Sequence, residues 1–246
     1  MARPLAIIQM GDPPAVIRQE AGEQSRWFVQ VLALNRGEYR VFRPDRHELL
    51  PAIDTICGAI ISGSWAMVTD RLAWSEETAQ WIRLAHALNL PLLGVGYGHQ
   101  LIAHALGGLV ADNPQGSEHG LQLIQIAENS TAPLLTTCPG RFAAWLSHRQ
   151  TVLRPPEGAS VLAFSTRDVC QILRYSDTAY SVQFHPEFTW DIMAACLKQC
   201  GEGLEMAEMS GEPAWPQELL RRFYYLWCKD NAPPLMPVIS MRKRFN

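Results

Sequence analysis

The sequence predicts an α/β domain with a mostly parallel central sheet and helices packed on both faces. Short apolar runs alternate with longer amphipathic ones over the first two thirds of the chain, the pattern of strand–helix–strand units. The apolar runs are of β type and are bounded by Gly, Pro, Ser and Asp. Hydrophobic residues make up 48% of the 246 and charged residues 18%, which supplies a core for one domain of ordinary size with an added terminal segment.

Leu5 to Met10 reads as the first strand, ending at the turn Gly11-Asp12-Pro13-Pro14. Glu23 to Leu34 carries Trp27, Phe28, Val31 and Leu34 at helical spacing. Tyr39 to Phe42 is a second strand closed by Pro44, and Gly58-Ala59-Ile60-Ile61 a third, followed by Ser62-Gly63-Ser64. Ser75 to Leu88 is a helix, with Ser75 expected as its N-cap and Glu76 and Glu77 opposing the dipole in its first turn. Pro91 to Val95 is the next strand, and a helix from Gln100 to Leu106 stops at Gly107-Gly108. Leu121 to Ile126, Val161 to Phe164, Val169 to Leu173 and Tyr180 to Phe184 read as strands joined by short loops. Thr189 to Cys200 is helical, Gly201 to Pro216 a connector, and Glu218 to Lys229 a final aromatic-rich helix. Residues 1–200 are expected to form the domain and 201–246 a helical extension packed on it. The stripe Trp215, Leu219, Leu220, Phe223, Tyr224, Leu226 and Trp227 reads most simply as packing on the body of its own chain. A homodimer contact is the minority reading.

Composition narrows the function classes. Net charge is -3, with both signs mixed along the chain, so no basic stripe marks a nucleic-acid surface. Arg242-Lys243-Arg244 reads as a solvated terminus. No run approaches the ~18 unbroken apolar residues of a membrane helix. Met1 leads straight into Leu5-Ala6-Ile7-Ile8, a core strand in place of a signal peptide. The six cysteines form no CxxC pair, and a reducing cytoplasm with free thiols is the expected setting. Cys196 and Cys200 sit on one predicted helix, and a half-buried face outweighs a metal or disulfide reading there. No metal or cofactor is expected.

The chemistry-bearing run is Gly94-Val95-Gly96-Tyr97-Gly98-His99-Gln100, after a buried strand and before a helix. Such a strand–turn–helix forms a nucleophile elbow, where flanking glycines let the chain turn sharply and lift one residue above the sheet edge. The N–H that follows, here that of Tyr97, can help hold an oxyanion at the helix N-terminus. A plain αβ loop would show the same glycines. A second run, Val182-Gln183-Phe184-His185-Pro186-Glu187-Phe188, sits at a predicted strand end. His185 and Glu187, two apart on an extended segment, can form a base and the carboxylate that orients it.

Together these runs resemble the class I (triad) glutamine amidotransferases, in particular members like the glutaminase domain of GMP synthase. The resemblance covers about Leu5 to Phe188. It includes Leu101 to Gly108, Ile60-Ile61-Ser62-Gly63-Ser64 in the oxyanion-loop position, Asn113-Pro114-Gln115-Gly116, and Ser147-His148 bordering the glutamine pocket. It implies a flavodoxin-like three-layer sandwich plus the C-terminal helices. By resemblance, His185 is the general base and Glu187 its orienter, Gly63 and Tyr97 give oxyanion N–H groups, and Gln100 lines the pocket. Ser147, His148 and Arg149 approach the α-amino and α-carboxylate ends of glutamine or a γ-glutamyl compound. In the family a cysteine thiolate attacks the γ-carboxamide, giving a thioester and ammonia.

The sequence departs from that pattern at the nucleophile, whose position holds Gly96. Loss of a nucleophile typically costs ~10⁴ to 10⁶ in rate, so the chain is expected to be inactive as a glutaminase. Gln150 is a second departure, where relatives carry an acid after Ser-His. Three functions compete: an amidotransferase or γ-glutamyl hydrolase by descent, a binding module that keeps the pocket, and repurposed chemistry on another substrate. No synthase domain is read after Phe188, so an amidotransferase would need a separate synthase partner.

Overall fold

Four strands of the sheet are buried along their whole length: β1 (Leu5–Ile8), β3 (Gly58–Ile61), β4 (Leu92–Val95) and β11 (Ala179–Val182). Burial on both faces explains why these runs are apolar throughout instead of alternating. The computed structural model describes residues 3–128, 130–200 and 213–229. The basic tail and residues 201–212 of the predicted connector lie outside them, as does the side chain of Cys200.

The main sheet has the order β2-β1-β3-β4-β11-β10-β9-β6-β7. Here β2 is Tyr39–Phe42, β6 Glu118–Ile126, β7 Arg141–His148, β9 Ser160–Phe164 and β10 Ile172–Arg174. The pairings from β2 to β11 are parallel and those from β11 to β7 antiparallel. A separate antiparallel pair joins β5 (Leu109–Asp112) to β8 (Gln150–Arg154).

Side-chain alternation along the parallel strands divides the core into two layers. Leu5, Ile7, Ile60, Leu93, Val95, Tyr180 and Val182 face one way, into a cluster with Phe28 and Val31 of α2 (Gln24–Leu32) and Leu219, Leu220 and Phe223 of α6 (Ala214–Trp227). Ala6, Ile8, Ala59, Ile61, Leu92 and Ala179 face the other, onto α3 (Ala73–Ala87) and α4 (Tyr97–Ala105). The result is the three-layer sandwich expected from the sequence. The α1 helix (Ala15–Ala21) and α5 (Trp190–Cys200) close one flank around Trp27, Trp145 and Phe188.

Several local readings are corrected. Ser75 is not the N-cap of α3: the helix starts at Ala73 with Leu72 as cap, and the buried Ser75 hydroxyl bonds the Tyr97 hydroxyl at 2.6 Å. The α4 helix starts at Tyr97, directly after Gly96, and not at Gln100. The α6 helix begins at Ala214 and accommodates Pro216 in its first turn, where no intrahelical N–H is needed. Of its predicted stripe, Leu226 is 39% exposed while Leu219, Leu220, Phe223, Tyr224 and Trp227 are buried.

Close packing at the elbow demands glycine. An added Cβ at Gly98 would lie 2.2 Å from the carbonyl oxygen of Ile61, and one at Gly94 2.4 Å from that of Gly98. Alanine favours a helix over glycine by ~1 kcal/mol, but here backbone would meet backbone and neither side can yield. We expect Gly98→Ala to destabilise the protein by about 2–3 kcal/mol net, read as a fall in the urea midpoint at unchanged m-value. A neutral or stabilising result would show that α4 can move away from β3.

Candidate active site

The carboxyl ends of adjacent parallel strands are where open α/β sheets place ligands, and four such ends meet here. The β4 strand ends at Val95 and runs into Gly96, β3 into Ser62-Gly63, β11 into Gln183 to His185, and β1 into Gln9 and Met10. Val95 and Val182 are register partners, and the Gly96 N–H donates to the Val182 carbonyl at 2.9 Å. That pairing brings two distant runs of sequence side by side.

Gly96 has φ 55° and ψ -108°, a conformation that costs a side-chain-bearing residue on the order of 1–3 kcal/mol and that glycine adopts freely. The His185 ring lies against it. A Cβ at Gly96 would be 2.8 Å from His185 Cε1 and 2.9 Å from Nε2, and one at Gly63 would be 2.9 Å from Cε1. His185 Nδ1 is 2.8 Å from Glu187 Oε1. That contact turns Nδ1 to the carboxylate and leaves Nε2 as the ring nitrogen beside Gly96. The ring is fixed further by stacking on Phe188, with centroids 4.1 Å apart, and by the His185 N–H donating to the Trp145 carbonyl at 2.8 Å.

Tyr97 is the first residue of α4, so its N–H has no intrahelical acceptor and points out of the helix start. Its phenol is turned away to Ser75, and burial pushes its pKa up to about 12 against the Ser75 bond. Ser62 anchors the Gly63 loop: its hydroxyl accepts from the Met10 N–H at 3.0 Å and reaches Gln24 Oε1 at 2.9 Å.

Gly96, Gly63 and Glu187 thus converge on His185, which lines a cavity of about 160 Å³. Gln100, Ser147, His148 and Arg149 line it, with Tyr97 and His185. Gln100 Nε2 is engaged in the wall, donating to the Gln150 carbonyl at 2.7 Å and to Gln183 Oε1 at 2.9 Å. His148 is engaged too. Its Nδ1 donates to the Gln150 carbonyl at 2.9 Å, and its Nε2 lies 3.0 Å from Glu118 Oε2, its register partner across β6 and β7. Ser147 pairs likewise with His119, Oγ to Nδ1 at 3.4 Å, and Arg149 extends from the rim with Nε 3.4 Å from Asp112.

Sequence reasoning did not find His119, Trp65, Met67, Phe188 or Gln183 as lining residues. Gln183 had a signal, since it stands two residues before His185 at the end of the same strand run. His119 had none, because only cross-strand pairing places it opposite Ser147. Among the described residues, Glu118, His148 and Asp168 form the one cluster of three metal-ligating groups, with ligand atoms within 4.8 Å of one another. Both His148 nitrogens already have partners there, Glu118 also accepts from Ser165, and burial raises the Asp168 pKa. The cluster serves as a buried polar support for the pocket wall.

The family description "Glutamine amidotransferase class-I" matches residues 23–199. The glutamine-hydrolyzing GMP synthase of Aeropyrum pernix is 30% identical over 178 residues, covering 72% of this chain and 33% of that protein. The glutamine-hydrolyzing GMP synthase of Wolinella succinogenes is 31% identical over 187 residues, 73% of this chain and 34% of that one. The chain therefore spans about a third of the length of these two relatives. Among solved structures, a glutamine amidotransferase of Methylobacillus flagellatus superposes with TM-score 0.72 at 22% identity, over 92% of this chain and 94% of that one. With a fold shared to that extent and a family match over most of its length, this chain belongs to the class-I glutamine amidotransferases.

Proposed function

We propose that this protein is a non-catalytic class-I glutamine amidotransferase that keeps its pocket as a binding site for a small carboxamide or carboxylate compound. One observation carries the reading: the elbow and the His185–Glu187 pair stand in order around a residue with no side chain, Gly96. Without a nucleophile the oriented imidazole has only water to activate. Among the described residues no cysteine lines the cavity, and burial lifts the Cys138 and Cys170 thiols to about 12, far from thiolate at neutral pH.

The test combines two readouts on the unaltered protein at millimolar amide. Ammonia release, followed by coupled reductive amination, is expected to stay at the blank. The melting temperature is expected to rise with ligand, since a compound that binds only the folded state stabilises it by mass action. Ammonia release that Glu187→Gln or His185→Gln abolishes would overturn the non-catalytic reading. A melting temperature unmoved by any amide or carboxylate would overturn the binding reading.

A further inference from the structure

We infer that the pocket takes a small carboxylate ligand that carries no ammonium group. The inference rests on the ligand-binding reading above and names the ligand class of the same site.

The first observation is the charge of the wall. Its ionisable side chains are imidazoles, a phenol and the Arg149 guanidinium; among the described residues no Asp or Glu lines it. The carboxylates that touch lining residues stand outside the wall and already hold a donor, although Glu187 keeps Oε2 without a partner behind the ring and Asp112 is mostly exposed. Glu187 holds His185 Nδ1, and Glu118 holds His148 Nε2 and the Ser165 hydroxyl. Asp112 accepts from Gln150 Nε2 at 3.0 Å and faces Arg149 Nε, while Asp70 accepts from the Met67 N–H. Gln150 also gives its amide to Thr69 Oγ1 at 2.7 Å, so this neutral side chain is tied into the wall. An ammonium bound within the cavity would lose its water with no acid among the described lining residues to pair it, and such a charge is costly to bury.

The second observation is a donor without an acceptor. Gln100 Nε2 donates to a backbone carbonyl, which fixes the orientation of that amide. Gln183 must then present its oxygen to Gln100, as it does at 2.9 Å, and its Nε2 is left buried with no partner. Gln183 is fully buried and lines the cavity. An orphaned amide donor in such a wall asks for an oxygen acceptor from the ligand. Arg149 and His119, which also carry N–H groups, line the same cavity. Donors with no acid among them match a carboxylate and reject an amino acid's cationic end.

Calorimetric titration of the full chain with glutaramate, glutarate and L-glutamine at pH 7.5 tests this. Glutaramate is glutamine without its amino group, so the pair isolates the ammonium. Glutaramate or glutarate is expected to bind at least tenfold more tightly than L-glutamine. L-glutamine binding as tightly as glutaramate, or more tightly, would overturn this inference while leaving the binding reading in place. No heat from any of the three at millimolar concentration would overturn both.

Discussion

Gly96→Cys is expected to raise ammonia release from its bound amide by at least about 10³-fold over the unaltered protein. Removing the nucleophile of a catalytic unit costs ~10⁴ to 10⁶, and the partners that would activate a new thiol are already in place. His185 Nε2 faces the site, Glu187 holds the far side of the ring, and the Tyr97 N–H stands at the helix start. We expect less than full recovery for a steric reason. The new Cβ would fall 2.8–2.9 Å from the imidazole, so the ring must retreat by about half an ångström to reach ordinary contact. Glu187 and Phe188 both resist that movement. The same strain, added to the backbone conformation at this position, should lower stability by about 1–3 kcal/mol. Glutamine and glutaramate are both assayed, so that ligand preference does not hide the chemistry. Should the variant bind an amide and still release no ammonia, His185 and Glu187 would not be the base and orienter assigned to them.

Acidification is expected to destabilise the protein steeply between pH 6.5 and about 3 because of His99. This residue, two beyond Tyr97, is fully buried behind the elbow with Nδ1 2.7 Å from Ser181 Oγ and Nε2 without a partner. Burial, aided by the nearby His148, depresses its pKa from 6.5 to about 3. Above pH 6.5 both folded and unfolded forms are neutral and stability is indifferent to pH. Below it the unfolded chain takes up a proton that the folded chain refuses, so stability falls by about 1.4 kcal/mol per pH unit. The loss totals on the order of 4 kcal/mol by the time the folded ring titrates. Urea unfolding of the unaltered protein and of His99→Gln at pH 7 and pH 4.5 isolates the effect. Asp168 and the other carboxyl groups are common to both and cancel in the difference. Equal pH slopes in the two proteins would show that His99 is protonated, or reached by water, in the folded state.

Much of the fold was legible in the sequence because burial on both faces leaves a signature. Leu5 to Ile8, Gly58 to Ile61 and Leu92 to Val95 are apolar without interruption, and each became a central parallel strand. The antiparallel part was less legible. Arg141–His148 mixes alanines with polar ends and shows no clean alternation, yet it forms the long strand β7 because β6 pairs with it along its length. Ser75 read as a cap from its local neighbours. Its hydroxyl instead serves Tyr97, a partner 22 residues away that no local rule can supply.

At the site, sequence alone determined the residue types: a glycine at the turn after β4, a His and a Glu two apart, and glycines flanking that turn. These are local facts, set by order along the chain. Only the tertiary structure decided how they meet: the parallel pairing of β4 with β11 seats the His185 ring on Gly96, and the β6–β7 register turns Glu118 and His148 into one buried pair. The acid-free wall and the orphaned Gln183 donor are likewise properties of packing. Hydrogen-bond partners and local charge depend on which strands become neighbours, and the sheet order that sets those neighbours is written in no single stretch of sequence.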